Sequence, residues 1–234
     1  MKKVVFTTLI ALAAWQLSAQ DALETARLLS REARFAASTE LLTTFIQNNP
    51  QRKYDIGRAL LLQSQNLLHL KELAAARETN GKSINLRMQL RSGDLAENFL
   101  QEAAISLAAG KPSDALVAAQ QGMEMLIEDP LLYAQLNYYA AKALIVMGRF
   151  AEGNRYYQTA TEVLAIEVGE QDPIFGQLLF EGGRLFDEQR EYRAAFQQYA
   201  RAYYILRDPV ARTKALLWAW HSDQLAKRSF GTKR

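Results

Sequence analysis

One short pattern recurs five times along the 234 residues of this chain, at an almost constant spacing. Each copy has a turn residue, then an apolar residue two positions later and a small residue five positions later. The copies begin at Ala33, Lys71, Gly110, Gly148 and Arg190, and their closing small residues are Ser38, Ala76, Ala115, Gly153 and Ala195. The spacings of 38, 39, 38 and 42 residues are typical of stacked supersecondary units. Such arrays usually present a binding surface rather than a catalytic pocket.

The residues between these copies favour helices throughout. Ala, Leu, Gln, Glu and Arg dominate, and only five prolines and twelve glycines interrupt them. Four prolines follow an Asn or Asp whose side chain can cap a helix that begins at the proline. These dipeptides are Asn49-Pro50, Asp129-Pro130, Asp172-Pro173 and Asp208-Pro209. We therefore expect each repeat to be two helices joined at the recurring turn, with the dipeptides between repeats.

The second repeat is the least regular. Its boundary with the third has no proline, and we expect Asp94 and Glu97, three residues apart, to form a capping box there. Asn80-Gly81 lies inside its second helix, where a glycine costs about 1 kcal/mol relative to alanine. We expect that helix to be kinked or frayed.

The first nineteen residues have the pattern of an export signal. Lys2 and Lys3 precede an apolar stretch from Val4 to Leu17, and Ala19-Gln20 is the expected cleavage site. An uncleaved anchor or an ordinary first helix are the alternatives. Removing Lys2 and Lys3 leaves 26 basic and 25 acidic residues. Residues 118–173 have 3 basic and 8 acidic groups, whereas residues 174–234 have 11 basic and 6 acidic. The charges are segregated along the chain, but they do not form the dense basic face that is typical of a nucleic-acid binder.

Sequence features of an enzyme or a metalloprotein are missing. The chain has no cysteine, and its two histidines, His69 and His221, are isolated from any positioned nucleophile or ligand set. It contains no P-loop, dinucleotide fingerprint or HExxH motif. We therefore expect no catalytic residues, no metal site and no cofactor.

The chain resembles the tetratricopeptide repeat (TPR) family, whose units end in Ala, an aromatic residue, Ala and Pro. The fifth repeat matches best, at Gly183, Phe186, Tyr192, Ala195, Tyr199, Ala202 and, one residue late, Pro209; the fourth matches at Ala141, Gly148, Phe150, Tyr157 and Ala160. The first repeat matches at Phe35, Leu42 and Pro50, the third at Gly110, Ala115 and Ala119. The resemblance implies an all-α solenoid of about five helix-turn-helix repeats over residues 20–208. Residues 209–227 are expected to form a capping helix, and residues 228–234 a basic flexible tail.

In the resembled family the first helix of each repeat lines a concave groove. Carried onto this chain, that implies a partner-binding groove of Arg58, Gln65, His69, Glu97, Gln101, Gln135, Tyr138, Lys142, Gln177, Glu181 and Arg184. Tyr138 is the expected aromatic anchor. The alternative is that these residues are only the soluble face of amphipathic helices.

These observations predict a non-enzymatic scaffold or assembly factor that is exported, periplasmic or secreted, and binds a protein or peptide. Neither nucleic acid nor a membrane span of the mature chain is expected. The alternative function is architectural, with self-association through the charge-segregated halves and the terminal helix.

Overall fold

The computed structural model describes residues 19–92 and 94–231, which form eleven α-helices and no strand. The all-α prediction is therefore confirmed for the described residues. The helices are α1 (Ala19–Arg31), α2 (Phe35–Asn48), α3 (Lys53–His69), α4 (Leu73–Gln89), α5 (Ala96–Ala108), α6 (Pro112–Glu124), α7 (Pro130–Val146), α8 (Phe150–Val168), α9 (Pro173–Glu188), α10 (Tyr192–Ile205) and α11 (Pro209–Gly231). The predicted signal peptide lies outside the described residues except for Ala19, where α1 begins.

The described helices belong to two compact units, which divide after Gly110. Unit 1 contains α1 to α5 and unit 2 contains α6 to α11. In each unit every helix packs on the next one along the chain, and in unit 1 α3 also touches α1 and α5. Links of three to six residues join successive helices within a unit, so neighbours run in opposite directions. The division after Gly110 falls inside the third predicted repeat.

The recurring turn has one backbone geometry in all five copies. Its first residue adopts a left-handed conformation, with φ of 58° at Ala33, 65° at Lys71, 69° at Gly110, 77° at Gly148 and 62° at Arg190. In four copies the next amide donates to a carbonyl five residues back, as Arg149 does to Leu144 at 2.8 Å. This is the Schellman ending of a helix, which satisfies carbonyls that the last turn leaves without partners. The predicted turns are confirmed.

We predict opposite effects of glycine and alanine at this turn. Arg190 is exposed and left-handed, which costs a residue with a Cβ atom about 1–2 kcal/mol, so Arg190→Gly should raise the free energy of unfolding by about 1 kcal/mol. Gly148→Ala should lower it by a similar amount. Urea unfolding followed by circular dichroism measures both, and equal effects of the two changes would contradict the assignment.

The Asp-Pro boundaries cap helices as predicted. Asp129 accepts a hydrogen bond from the Leu132 amide at 2.9 Å, and Asp172 accepts one from the Ile174 amide at 2.8 Å. Asn49 does not cap α3, because α3 begins only at Lys53, and its amide instead donates to the Phe45 carbonyl of α2 at 2.8 Å.

Two expectations for the second repeat are wrong. Helix α4 runs unbroken through Asn80-Gly81, because Asn80 is fully buried and donates to the Asn98 carbonyl of α5 at 3.0 Å. There is also no capping box, since α5 begins at Ala96 with Leu95 as its N-cap residue. Asp94 and Glu97 face Arg87 instead, with nitrogen-to-oxygen distances of 3.5 and 3.4 Å.

The core of unit 2 depends on two adjacent glycines of α9. A Cβ atom at Gly183 would lie 2.6 Å from ring carbons of Tyr199, and one at Gly182 would collide with the Tyr157 hydroxyl. Both tyrosines are buried, Tyr199 completely. The glycines therefore let α9 approach α8 and α10 closely enough to enclose these rings. The terminal helix packs on α10 through Ala215 and Ala219, and it extends to Gly231, four residues beyond the predicted end at Lys227.

Alanine should have opposite effects at two helical glycines. A Cβ atom at Gly81 meets nothing within 4 Å, so Gly81→Ala should stabilise the protein by about 0.5–1 kcal/mol. Gly183→Ala should destabilise it by about 1–3 kcal/mol, because the buried Tyr199 ring must move. Thermal unfolding compares them directly. Destabilisation by both changes would contradict the open surroundings of Gly81.

Candidate functional site

A pocket of about 220 Å³ lies between the first helices of the fourth and fifth repeats in unit 2. Helices α7 and α9 each contribute four residues at i, i+3, i+4 and i+7, which is one stripe of a helix. The two stripes are Leu131, Ala134, Gln135 and Tyr138 from α7, and Ile174, Gln177, Leu178 and Glu181 from α9. Leu164 of α8 completes the lining.

The base of this pocket is apolar, and its rim combines two amide side chains with exposed aliphatic ones. Ala134 and Leu164 belong to the buried core of unit 2 and are 3% and 6% exposed. Gln135 and Gln177 are exposed, as is the side chain of Ile174. Small-molecule sites usually measure about 300–1,000 Å³, so this smaller pocket suits a single side chain better than a whole ligand.

Three polar groups are coupled along one edge of the pocket. The Tyr138 hydroxyl donates to Glu181 Oε2 at 3.4 Å, and Arg184 Nη1 lies 3.2 Å from the same oxygen. Burial raises the pKa of Tyr138 far above its ordinary value, and the Glu181 charge raises it further. The phenol therefore stays protonated at physiological pH and remains a hydrogen-bond donor.

A second pocket, of about 410 Å³, lies beyond this edge between α9, α10 and α11. It combines aromatic and charged groups, namely Phe180, Arg184, Asp187, Glu188, Tyr199, Lys214 and Trp218. Asp187 accepts hydrogen bonds from Ser222 Oγ at 2.8 Å and from the Tyr199 hydroxyl at 3.2 Å. Those two bonds join α9 to α10 and α11, so we assign Asp187 a structural role. Arg184 and Lys214 are the cationic groups of this pocket.

The fold of this chain is shared with solved structures, although no similar sequence identifies it. No protein-family model matches the chain, and no curated protein matches it in sequence. Among solved structures, TTC0263, a thermophilic TPR protein of Thermus thermophilus, superposes with a TM-score of 0.67. It is 18% identical over 86% of this chain and 98% of its own. This chain has the TPR fold.

Two other TPR structures agree. PH0952 of Pyrococcus horikoshii, a signal-transduction ATPase with a TPR sensor, has a TM-score of 0.70 at 14% identity over 92% of this chain; the match spans 35% of that longer protein. YrrB, a TPR protein described as having an unusual peptide-binding site, has a TM-score of 0.50 at 16% identity, covering 88% of this chain and 92% of its own.

The groove residues that the TPR resemblance implies lie closest to the described pockets in unit 2. Four of its six residues there line the 220 Å³ pocket: Gln135, Tyr138, Gln177 and Glu181. Arg184 lines the second pocket, and Lys142, which is half-buried, lines neither. The prediction missed the apolar lining, above all Ile174 and Leu131. Leu131 lies four residues before Gln135, and Ile174 lies three residues before Gln177. This helical spacing in the sequence identifies the two apolar residues as neighbours of the predicted ones.

In unit 1 the five predicted residues have different surroundings. Gln101 is buried at 5% exposure and donates to Ser64 Oγ at 3.1 Å, so its prediction as a surface residue is wrong. The His69 ring stacks on Phe35, with centroids 4.4 Å apart and an interplanar angle of 5°. Glu97 pairs with Arg87, whereas Arg58 is exposed and Gln65 is half-buried.

The Arg87 side chain is the most deeply buried charge described in unit 1. It is 2% exposed and packs beside Gly57 of α3, where an added Cβ atom would lie 3.1 Å from Arg87 Cγ. Its Nη1 atom donates to the Asp94 carbonyl at 2.8 Å. Arg87 thus ties the link before α5 to α3 and α4, and it leaves Glu97 committed to structure rather than to a partner.

Across residues 19–92 and 94–231 no group of three or more His, Asp or Glu side chains is arranged to hold a metal ion. Over the same ranges, no helix combines the length and the apolarity that crossing a bilayer requires.

Proposed function

We propose that this protein is a non-enzymatic scaffold that binds a segment of a protein or peptide in the pocket between α7 and α9. The observation that supports this most strongly is the pair of facing stripes on α7 and α9, with an apolar base between rims that contain both amide and aliphatic side chains. Protein-binding sites commonly combine an apolar or aromatic anchor with such a rim. The description of YrrB as a TPR protein with a peptide-binding site agrees with this proposal.

The pocket's dimensions indicate how a segment binds. One apolar side chain of the partner enters between Leu131, Leu164 and Ile174, and the partner's backbone lies along the rim. The amides of Gln135 and Gln177 can both donate and accept hydrogen bonds, so they can pair with peptide groups of an extended segment. Because the base of the pocket is part of the packed core, the scaffold loses little conformational entropy on binding.

Export to the cell envelope is the second part of the proposal. Its support is the N-terminal sequence alone, in which Lys2 and Lys3 precede an apolar stretch and Ala19. An exported TPR-like scaffold would assemble or hold envelope proteins through the pocket.

The export proposal predicts a particular mature N-terminus. When the full chain is expressed in a Gram-negative bacterium and the cells are fractionated, the periplasmic protein should begin at Gln20. Ala19→Arg should leave the chain uncleaved, because signal peptidase requires a small residue there. Full-length protein confined to the cytoplasm would contradict export, whatever the outcome of binding experiments.

The binding proposal predicts peptide selection that depends on Ile174. Purified protein should enrich apolar-containing sequences from a random twelve-residue peptide library, and Ile174→Glu should lose them by at least tenfold in affinity, since a carboxylate would enter the apolar pocket. Titration calorimetry with individual peptides measures that loss.

A matched control separates the pocket from general effects. Ile127 is 73% exposed in the link before α7 and lines neither of these two pockets, so Ile127→Glu should leave affinity unchanged. Both isoleucines are largely exposed, so both variants should keep the wild-type melting temperature. Failure to enrich any peptide, or equal loss in both variants, would reject the pocket as the binding site.

A further inference from the structure

The outward side of α11 has an apolar stripe with coiled-coil spacing. Val210, Thr213, Leu217, Trp220 and Gln224 follow one another at intervals of three, four, three and four residues, which are the a and d positions of two heptads and the first a position of a third. Val210 is 62% exposed, Leu217 61% and Trp220 63%. We call these five residues the α11 seam. Leu216, 50% exposed, lies beside it.

The opposite side of the same helix is already packed. Ala215, Ala219 and Ser222 are buried, and α11 lies against α10. Ser222 donates to Asp187 of α9 at 2.8 Å, which fixes the rotation of α11 about its own axis. The α11 seam therefore faces away from the core of unit 2, and the helix that presents it is held in place.

Such a face is unusual on a helix that ends a repeat array. Terminal helices of helical-repeat proteins need a polar outer face to remain soluble as monomers. Contiguous exposed apolar residues normally mark an interaction surface. Here the seam has two aliphatic residues and a tryptophan where a capping helix would have charged groups.

We propose that the α11 seam is a self-association surface on which α11 of a second copy packs in parallel. A heptad seam is self-complementary, because the same a and d positions meet across a twofold axis. Gln224, at an a position, can pair with Gln224 of the second copy and fix the register, as polar residues at such positions do. This inference goes beyond the peptide-binding pocket and does not depend on it.

The charges beside the seam favour the parallel arrangement. In a parallel pair a g position faces the e position five residues later in the other helix, so Asp223 faces Arg228 of the second copy, twice per dimer. An antiparallel pair would instead bring the e positions, Lys214, His221 and Arg228, against one another. Asp223 also pairs with Lys227 of its own helix at 2.6 Å. Because exposed ion pairs contribute little, the apolar residues should supply the affinity and Asp223 the orientation.

Sedimentation velocity of the full chain tests the proposal, with samples from about 1 to 500 µM in physiological salt. The wild type should shift from monomer to dimer with concentration. Leu217→Ser combined with Trp220→Ser should weaken association at least tenfold. The single change Val210→Glu, at the other end of the seam, should do the same. Ile166→Ser is the matched control, since Ile166 is 80% exposed on α8 and lies outside the seam.

Charge reversal tests the orientation in the same experiment. Asp223→Arg alone and Arg228→Asp alone should each weaken dimerisation severalfold, and the two together should restore it. Circular dichroism verifies that each variant keeps its helices.

A monomer at every concentration would overturn the proposal, whether the seam is bare or covered by an apolar segment of the same chain. A dimer insensitive to both seam variants would overturn it as well. A doubly reversed variant that dimerises as weakly as the single reversals would overturn the parallel arrangement.

Discussion

The rest of this structure depends on a tight reversal between paired helices, which recurs four times within the two units. A left-handed residue ends the first helix, and five residues later a small side chain begins the contact with it. Within the units those small residues are Ser38, Ala76, Gly153 and Ala195, all of them buried. A larger side chain there would push the two helices apart, and a three-residue link could not span the gap. The reversal therefore fixes which helix faces can meet, and from them the pocket and the terminal face follow.

The two units satisfy this close packing by different means. In unit 1 buried hydroxyls bond to backbone carbonyls across helix pairs: Ser38 to Ala26, Ser64 to Ala76 and Ser83 to Gly57, each at 2.7 Å. In unit 2 the tyrosine rings of α8 and α10 occupy the space left by Gly182 and Gly183. Bonds from buried hydroxyls to carbonyls recur in unit 1, whereas unit 2 combines this packing of rings on glycines with the hydrogen bonds that Asp187 accepts from Tyr199 and Ser222. Unit 2 also contains the pocket between α7 and α9, whose base is apolar.

The sequence was sufficient for the helices because their signals are local. Left-handed turns, Asp-Pro caps and apolar periodicity act within a few residues, and they correctly predicted a helix on each side of every recurring turn and a final helix. Long-range contacts decided what the sequence could not. Asn80-Gly81 predicted a kinked or frayed helix, but the buried Asn80 side chain bonds to the Asn98 carbonyl of the next helix. Asp94 was expected to cap a helix, but it pairs with Arg87 instead. Gln101 failed as a groove residue for the same reason, because Ser64 from another repeat binds it.

The residues on the two helix faces of the candidate site could be predicted from the sequence, whereas the cavity beneath them could not. Helical register placed Gln135, Tyr138, Gln177 and Glu181 on one face, but it could not show that Leu164 leaves a cavity beneath them. The central claim, that this cavity receives a partner's side chain, is tested most directly by methyl NMR spectroscopy. On titration with a library-selected peptide, intermolecular NOEs should connect one apolar peptide side chain with the methyl groups of Leu131, Leu164 and Ile174. NOEs confined to other methyl groups, such as those of Leu217 on α11, would contradict the claim.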